Sequence, residues 1–448
     1  MMAADSLTAA FLDNMLGMPL SAESLERAKY GILDFIASAF AGRADAGVLK
    51  LLRAAEEEGG RPLAPALFHG RRVSREQSAL VNGFMGHALD YDDVHVEVRG
   101  HPSAVILPAL IALADKGGDG RRDGRRFLGA YIVGVEAMAR IALALSNDHY
   151  ERGFHNTATA GALAAAIAGA YYLDWPVEQA AQALGLAATQ AGGLRVHFGT
   201  ETKPLHAGLA AAAAVRSLRF AEAGVQASRA SLDGKLGFFA VFGAGEERAR
   251  AELLREDAVP RIVKPGLWHK LYPFCSAAYF GWHAAEQIGP VPLGRIDGIE
   301  IAFTGRSDAA LIHRRPENGE EGRFSIEYIA ALVLSGRGIR AGDFRRVPVD
   351  DEIRAYMDRM RRVNVTDAPP GVRYTRITVR LEGGGTLEAT GDKPKGSAGN
   401  PVTEEELLRK YDEVVQTPNA AAIRDRILRL DKLSDVREFI ELLGAAAE

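Results

Sequence analysis

Residues 153–172 read GFHNTATAGALAAAIAGAYY. From Ala158 to Tyr172 the stretch comes closest in the chain to the roughly 18 uninterrupted apolar residues of a membrane span. It is built mostly of Ala and Gly, however, and polar residues flank it on both sides. Small side chains let helices approach closely. The stretch therefore reads as a helix buried among other helices, and it predicts a compact multi-helix domain around itself.

Working outward, the chain from Ser6 to about Gly243 keeps apolar residues at spacings of three and four, broken by Gly or Asp-Gly. Helices are predicted at Ala28 to Phe40, His101 to Ala114, Phe127 to Ser146, Ala158 to Tyr172, Val177 to Gly192 and Pro204 to Ala223. After Lys264-Pro265-Gly266 the period changes to two. Ile299, Ile301 and Phe303 alternate with other residues, and Ile377, Val379 and Leu381 precede Gly383-Gly384-Gly385, Leu387 and Ala389, which spells a hairpin. Helical patterns at Ser276 to Gln287 and Phe324 to Ser335 make this region α+β. From Thr403 to Leu443 the pattern is helical again.

At 448 residues the chain exceeds the roughly 250–300 at which single cores stop growing, so two domains are expected. A content of 47% hydrophobic and 25% charged residues is that of a globular protein. Lys plus Arg is 54 against 58 for Asp plus Glu, a net charge of −4 that lacks the basic excess of a nucleic-acid-binding surface. The short basic clusters Arg71 to Arg75 and Arg121 to Arg126 read as solvated loops. The single Cys275 excludes an internal disulfide and reads as a buried structural thiol, and the first residues lack a signal peptide's pattern, so a reducing cytoplasm is expected, with no membrane partner.

The chemistry concentrates in Gly86 to Ser103, GHALDYDDVHVEVRGHPS, which holds three histidines and four acidic residues. Asp90-Tyr91-Asp92-Asp93 with His87, His95 and His101 offers ligands for a divalent ion, or acid/base carboxylates, or a capping loop; no familiar metal spacing decides among these. His101 and Lys203 each precede a proline that opens a helical run, and His155 stands just before a helix whose cap is expected at Asn156 or Thr157. Three basic residues at helix mouths, where unpaired N–H groups attract anions, suit substrate carboxylates or phosphates. The glycine-rich approach to Lys203, from Gly192-Gly193 to Phe198-Gly199-Thr200, matches neither nucleotide fingerprint, so no nucleotide cofactor is inferred.

Together these segments resemble the MmgE/PrpD family, which includes 2-methylcitrate dehydratase, cis-aconitate decarboxylase and iminodisuccinate epimerase. The likeness runs through NGFMGHALDYDD (82–93), GHPSAVILPALIALAD (100–115), GFHNTATAGALAAA (153–166), ALGLAATQAGGLRVHFGTETKPLHAGLAAAAA (183–214), KLYPFC (270–275), FSIEYIAALVL (324–334) and PKGSAGNPVTEEEL (394–407). The resemblance implies a mainly α protein in which residues 1–265 and 401–448 form a large helical domain and 266–400 an inserted α+β lid. It also implies a homodimer and no metal or organic cofactor. Matched residue by residue, the active-site positions fall on Asp90, His101, His155, Lys203 and Tyr328.

Three positions depart from the family pattern. Tyr279 stands where a histidine is usual, Asn156 where proline is usual and Val94 where threonine is usual. A tyrosine donates a hydrogen bond but is a poor base at neutral pH. The expected reaction is elimination of water or CO2 from a small di- or tricarboxylate through a carbanion or enolate. Lys203 and His101 are expected to hold carboxylates with Tyr279 and Thr200 as further binding groups, His155 to act as acid/base, Asp90 to orient a histidine or act as base, and Tyr328 to close the pocket. An epimerase, or an organic-anion-binding homologue that has lost turnover, would use the same residues.

Overall fold

The helices begin where the sequence offers caps. Ser21 with Ser24, Ser74 with Gln77, and Thr403 with Glu406 form reciprocal capping boxes that open Ala22–Gly42, Arg75–His87 and Glu404–Val414. In the computed structural model, which describes residues 6–115, 123–305, 307–366, 368–369 and 372–445, these join the other expected helices in a mainly α chain. The opening stretch forms Asn156–Tyr172, buried along nearly its whole length. Its cap differs from expectation. His155 is the N-cap and its side chain makes no capping bond. Asn156 instead donates to Val98 O at 2.8 Å, and Thr157 Oγ1 accepts from the His101 amide at 3.2 Å, so both side chains fasten the loop before His101.

Gly124–Glu151 is the one described helix long and apolar enough to cross a membrane, but 94% of its apolar window is buried inside the protein. The sequence pattern ends this helix at Ser146, where the structure has a kink with φ of 65°. Of the two basic clusters, Arg121 and Arg122 lie outside the described residues. Arg126 is no loop residue: it donates to Tyr172 O and pairs with Asp174, tying off the end of helix Asn156–Tyr172. Arg75 likewise grips Asp115 with two bonds.

The close packing predicted from small residues is most severe where Arg75–His87 crosses Thr202–Glu222. A Cβ on Gly83 would lie 2.7 Å from Gly208 Cα, and one on Gly208 would lie 2.2 Å from Leu80 O. Backbone thus meets backbone. The consequence is positional: His87, one turn beyond Gly83, comes within hydrogen-bonding distance of Lys203, near the start of the facing helix.

Buried apolar side chains fall into two clusters. One gathers helices from Leu7 to Ile262 and takes in Leu407, Tyr411, Ile423, Ile427 and Leu443 from the tail. The other gathers Trp268 to Val379 and borrows Val94 and Phe198. It is built on a four-stranded sheet in the order Met360–Val365, Ile296–Thr304, Thr375–Leu381, Thr386–Gly391. The predicted hairpin is present, with Val379 opposite Leu387 and Ile377 opposite Ala389. Sequence pattern missed Met360–Val365, which pairs parallel to Ile296–Thr304 and is half-exposed along its length, leaving no alternation to read. The tail is joined to the centre by Lys410, whose ammonium binds Asp34 Oδ1 at 2.8 Å, Tyr91 O at 3.0 Å and Lys270 O at 2.8 Å.

The glycine crossing gives a direct test. Gly208→Ala should destabilise the protein by about 1–3 kcal/mol in urea unfolding despite alanine's better helix propensity. Gly192→Ala, where an added Cβ meets nothing within 4 Å, should stay within about 0.5 kcal/mol of the parent. Equal effects would remove steric contact as the cause.

Candidate active site

Helix Arg75–His87 ends against a turn in which Asp90 takes a left-handed φ of 52°. That conformation costs energy for a residue with a side chain and is tolerated best by Asn and Asp. It directs the Asp90 carboxylate at two lysines from distant parts of the chain. Lys203 Nζ lies 2.8 Å and Lys270 Nζ 3.1 Å from Asp90 Oδ1, and Lys270 also donates to Asp90 O at 2.6 Å. All three residues are buried. Burial pushes the Asp90 carboxyl up, but Lys203 and Lys270 outweigh it and hold the group well below the usual carboxylate range.

Lys203 Nζ also contacts His87 Nε2 at 2.8 Å, and His87 Nδ1 contacts Asp92 Oδ1 at 2.8 Å. An ammonium only donates and a carboxylate only accepts, so His87 carries its proton on Nδ1 and accepts from Lys203 at Nε2. The neutral form is secure: burial drives the His87 pKa down to about 3. Asp92 and Asp90 balance Lys203 and Lys270, a buried set of two anions and two cations.

His101 spends Nδ1 on Asp93 O at 2.9 Å, which leaves Nε2 facing Asp90 Oδ1 at 3.4 Å. Burial first, and then the two lysines, lower its pKa and leave Nε2 a lone pair near neutrality. His155 sets its Nδ1 3.1 Å from His206 Nδ1, so one ring donates to the other, and its ring stands edge-on to Phe198. Burial, and then Lys203, hold His155 far below the usual imidazole value. A cavity of about 800 Å³ opens onto His101, His155 and Lys203, with Phe198, Trp268, Cys275 and Ala277 also in its lining.

The structure therefore brings together four of the expected residues: Asp90, His101, His155 and Lys203. It does not bring the other three to the cavity. Tyr279 is fully buried, and its hydroxyl donates to Tyr272 O and accepts from Tyr272 N, both at 2.8 Å. Tyr328 donates to Asp343 O at 2.8 Å and packs edge-on to Phe344 in the second core. Thr200 donates to His197 O and accepts from the Thr202 amide, holding the entry to helix Thr202–Glu222 beside a small crevice that reaches Asp90 and Lys203. Each hydroxyl is committed to backbone, which is why none is presented to the main cavity.

Sequence reasoning undervalued four residues. His87 and Asp92 were visible in the same motif, but nothing in their spacing ranked them above their neighbours. His206 follows Lys203 by one helical turn, the i,i+3 spacing that puts two side chains on one face. Lys270 sits inside an aromatic segment, where a lysine needs an anion nearby to be buried. Donor atoms of His87, Asp90, Asp92 and His101 all lie within 4.8 Å of one another, close enough to hold a metal ion. A divalent ion there would face Lys203 and Lys270, both within 3.1 Å of the same carboxylate oxygen, so the donor set fits ammonium groups and not a further cation.

Residues 7–251 match the MmgE/PrpD N-terminal domain and residues 278–434 the MmgE/PrpD C-terminal domain. Among individual proteins, the chain is 27% identical to a cis-aconitate decarboxylase of Aspergillus terreus, covering 96% of this chain and 94% of the relative. It is 26% identical to a cis-aconitate decarboxylase of Homo sapiens over 76% of this chain and 72% of the relative. A cis-aconitate decarboxylase-like protein of Aspergillus oryzae is 26% identical over 95% of this chain and 94% of its own length.

The buried imidazoles give a pH signature. His87 is lowered to about 3, and His95, His149 and His206 each to about 4. The unfolded chain protonates these groups near 6.5 while the folded chain does not, so between roughly pH 6.5 and 4 the unfolded state binds more protons. Stability should fall steeply from about pH 6.5 downward in urea unfolding. A protein equally stable at pH 7.5 and pH 5 would contradict this burial of neutral rings.

Proposed function

The chain belongs to the MmgE/PrpD family, and we propose that it is a lyase that removes CO2 or water from a small di- or tricarboxylate through a carbanion or enolate, with no resident metal or organic cofactor. The observation that carries this reading is the convergence of Lys203, His101 and His155 on one cavity, with Lys203 fixed between Asp90 and His87. The names of the similar decarboxylases support the class of reaction.

The chemistry follows from the charges. Loss of CO2, or of a proton beside a carboxylate, leaves an electron pair on carbon that spreads onto the remaining carboxylate. Lys203, shielded by Phe198 and Phe324 at 5.5 and 5.3 Å from its nitrogen, meets that growing charge in a medium where electrostatics are strong. Because Lys203 is already held by Asp90, little reorganisation accompanies the reaction. In a dehydration His101, neutral with Nε2 unprotonated, takes the proton from carbon while the departing hydroxide takes one relayed from solvent through His206 and His155; in a decarboxylation no proton is removed, and the same pair relays one to the carbanion as CO2 leaves. Asp90 orients Lys203 more directly than any histidine.

Residues 266–400 are proposed to cover the site as a lid, with Trp268, Cys275 and Ala277 as its inner wall, and two chains to associate as a homodimer. An epimerase of a dicarboxylate is the second reading, favoured by two neutral imidazoles on one cavity, which suit proton removal and return at opposite faces.

Lys203→Met and His155→Gln should each lower kcat/KM by at least about a hundredfold on cis-aconitate or on hydroxy-tricarboxylates that lose water. Unchanged turnover in both variants would overturn the lyase assignment. In D2O, solvent deuterium entering the substrate without net CO2 or water loss would select the epimerase.

A further inference from the structure

The cavity runs past the buried histidines to a second set of charges. Its charged lining comprises Lys203, Arg99, Arg373 and Glu151, three cations and one carboxylate. Arg99 sits at a left-handed φ of 52°, which costs energy and marks a residue held in place by its surroundings. It donates to Asn147 Oδ1 at 3.1 Å, pairs with Glu151 at 3.4 Å and lies 3.8 Å from the Tyr150 ring centroid. Tyr150 is itself fixed by Arg195, which lies 3.7 Å from the same centroid and donates to Tyr150 O and to Ala309 O. Two guanidinium groups so close to one ring must take opposite faces, so the Tyr150 ring is clamped.

Arg373 approaches from the other core, 4.5 Å above the Phe280 ring. Among the described residues it has no carboxylate partner. Partial desolvation, and then the charge of Arg99, hold its guanidinium below the usual value. The exposed Glu151 neutralises little. Val94, Val96, Ala310 and Val372 add apolar lining to the same cavity. At about 800 Å³ the cavity lies in the upper part of the roughly 300–1,000 Å³ range of small-molecule sites.

We infer that Arg99 and Arg373 form a second anion subsite at the outer end of this cavity, which takes a substrate carboxylate remote from the one held by Lys203, so that the natural ligand is an elongated polycarboxylate. Arginine suits the task because its planar fork matches a carboxylate with two parallel bonds. Arg99 is preset by Asn147 and Tyr150, and Arg373 is held over the Phe280 ring. This deepens the lyase reading above and rests on it.

The test is a binding titration by ligand-observed NMR with tricarballylate and with propionate, on the unsubstituted protein and on Arg373→Gln, Arg99→Gln and Lys203→Met, each checked for folding by circular dichroism. Both arginine variants should bind tricarballylate about tenfold to a hundredfold more weakly while propionate affinity moves less than about twofold. Lys203→Met should weaken both probes. Tricarballylate binding that falls with Lys203→Met but not with either arginine variant would overturn the subsite and leave the lyase reading standing. No tricarballylate binding by the unsubstituted protein would overturn both.

Discussion

The structure depends on one buried ammonium. Lys410 binds a carboxylate on helix Ala22–Gly42, a carbonyl in the Asp90 turn and a carbonyl beside the Lys270 side chain. These three partners come from parts of the chain that share no local structure. Removing one member of a buried pair typically costs about 3–5 kcal/mol, because the partner charge stays behind without compensation. Lys410 touches none of the groups that would meet a substrate, yet two of its acceptors are the backbone on which Asp90 and Lys270 are mounted.

The candidate site repeats that logic with more members. Two carboxylates and two ammonium groups would be prohibitive to bury singly, but together they nearly cancel and satisfy one another's hydrogen bonds. The neutral His87 bridges the two halves, accepting from Lys203 and donating to Asp92. The glycine crossing sets the scale: with any larger residue at Gly83 or Gly208, helix Thr202–Glu222 could not bring Lys203 so near His87. The small residues at this crossing are thus a condition of the candidate site's geometry as well as of the packing.

Much of this was legible in the sequence, and the limits have physical causes. Helix existence followed from periodicity where one face is buried, and from long apolar or Ala-rich runs where, as in Asn156–Tyr172, the helix is buried nearly all round. The half-exposed parallel strand Met360–Val365 was not legible, since nothing alternates in it. Asp90 stood out within a dense run of acids and histidines, and His101, His155 and Lys203 because basic residues beside helix starts are conspicuous. Lys270, His206 and Lys410 did not, because their partners lie far away in sequence and a lone basic residue usually faces water. Asn156 and Thr157 looked like caps; the structure uses them to hold the loop before His101. Tyr279 and Tyr328 show a converse limit, since a residue type able to act gives no sign in the sequence that its hydroxyl is bonded to backbone.

The distance along the chain between Asp34 and Lys410 has a bearing on how the molecule is made. A ribosome delivers Asp34 early and its cation 376 residues later. Until then the carboxylate on helix Ala22–Gly42 lacks its principal counter-ion, and the face that bears it gains little by closing over. The geometry of the candidate site therefore gains its last tie late. A nascent chain can pack its early helices before helix Glu404–Val414 supplies Lys410, the group that ties the Asp90 turn to them.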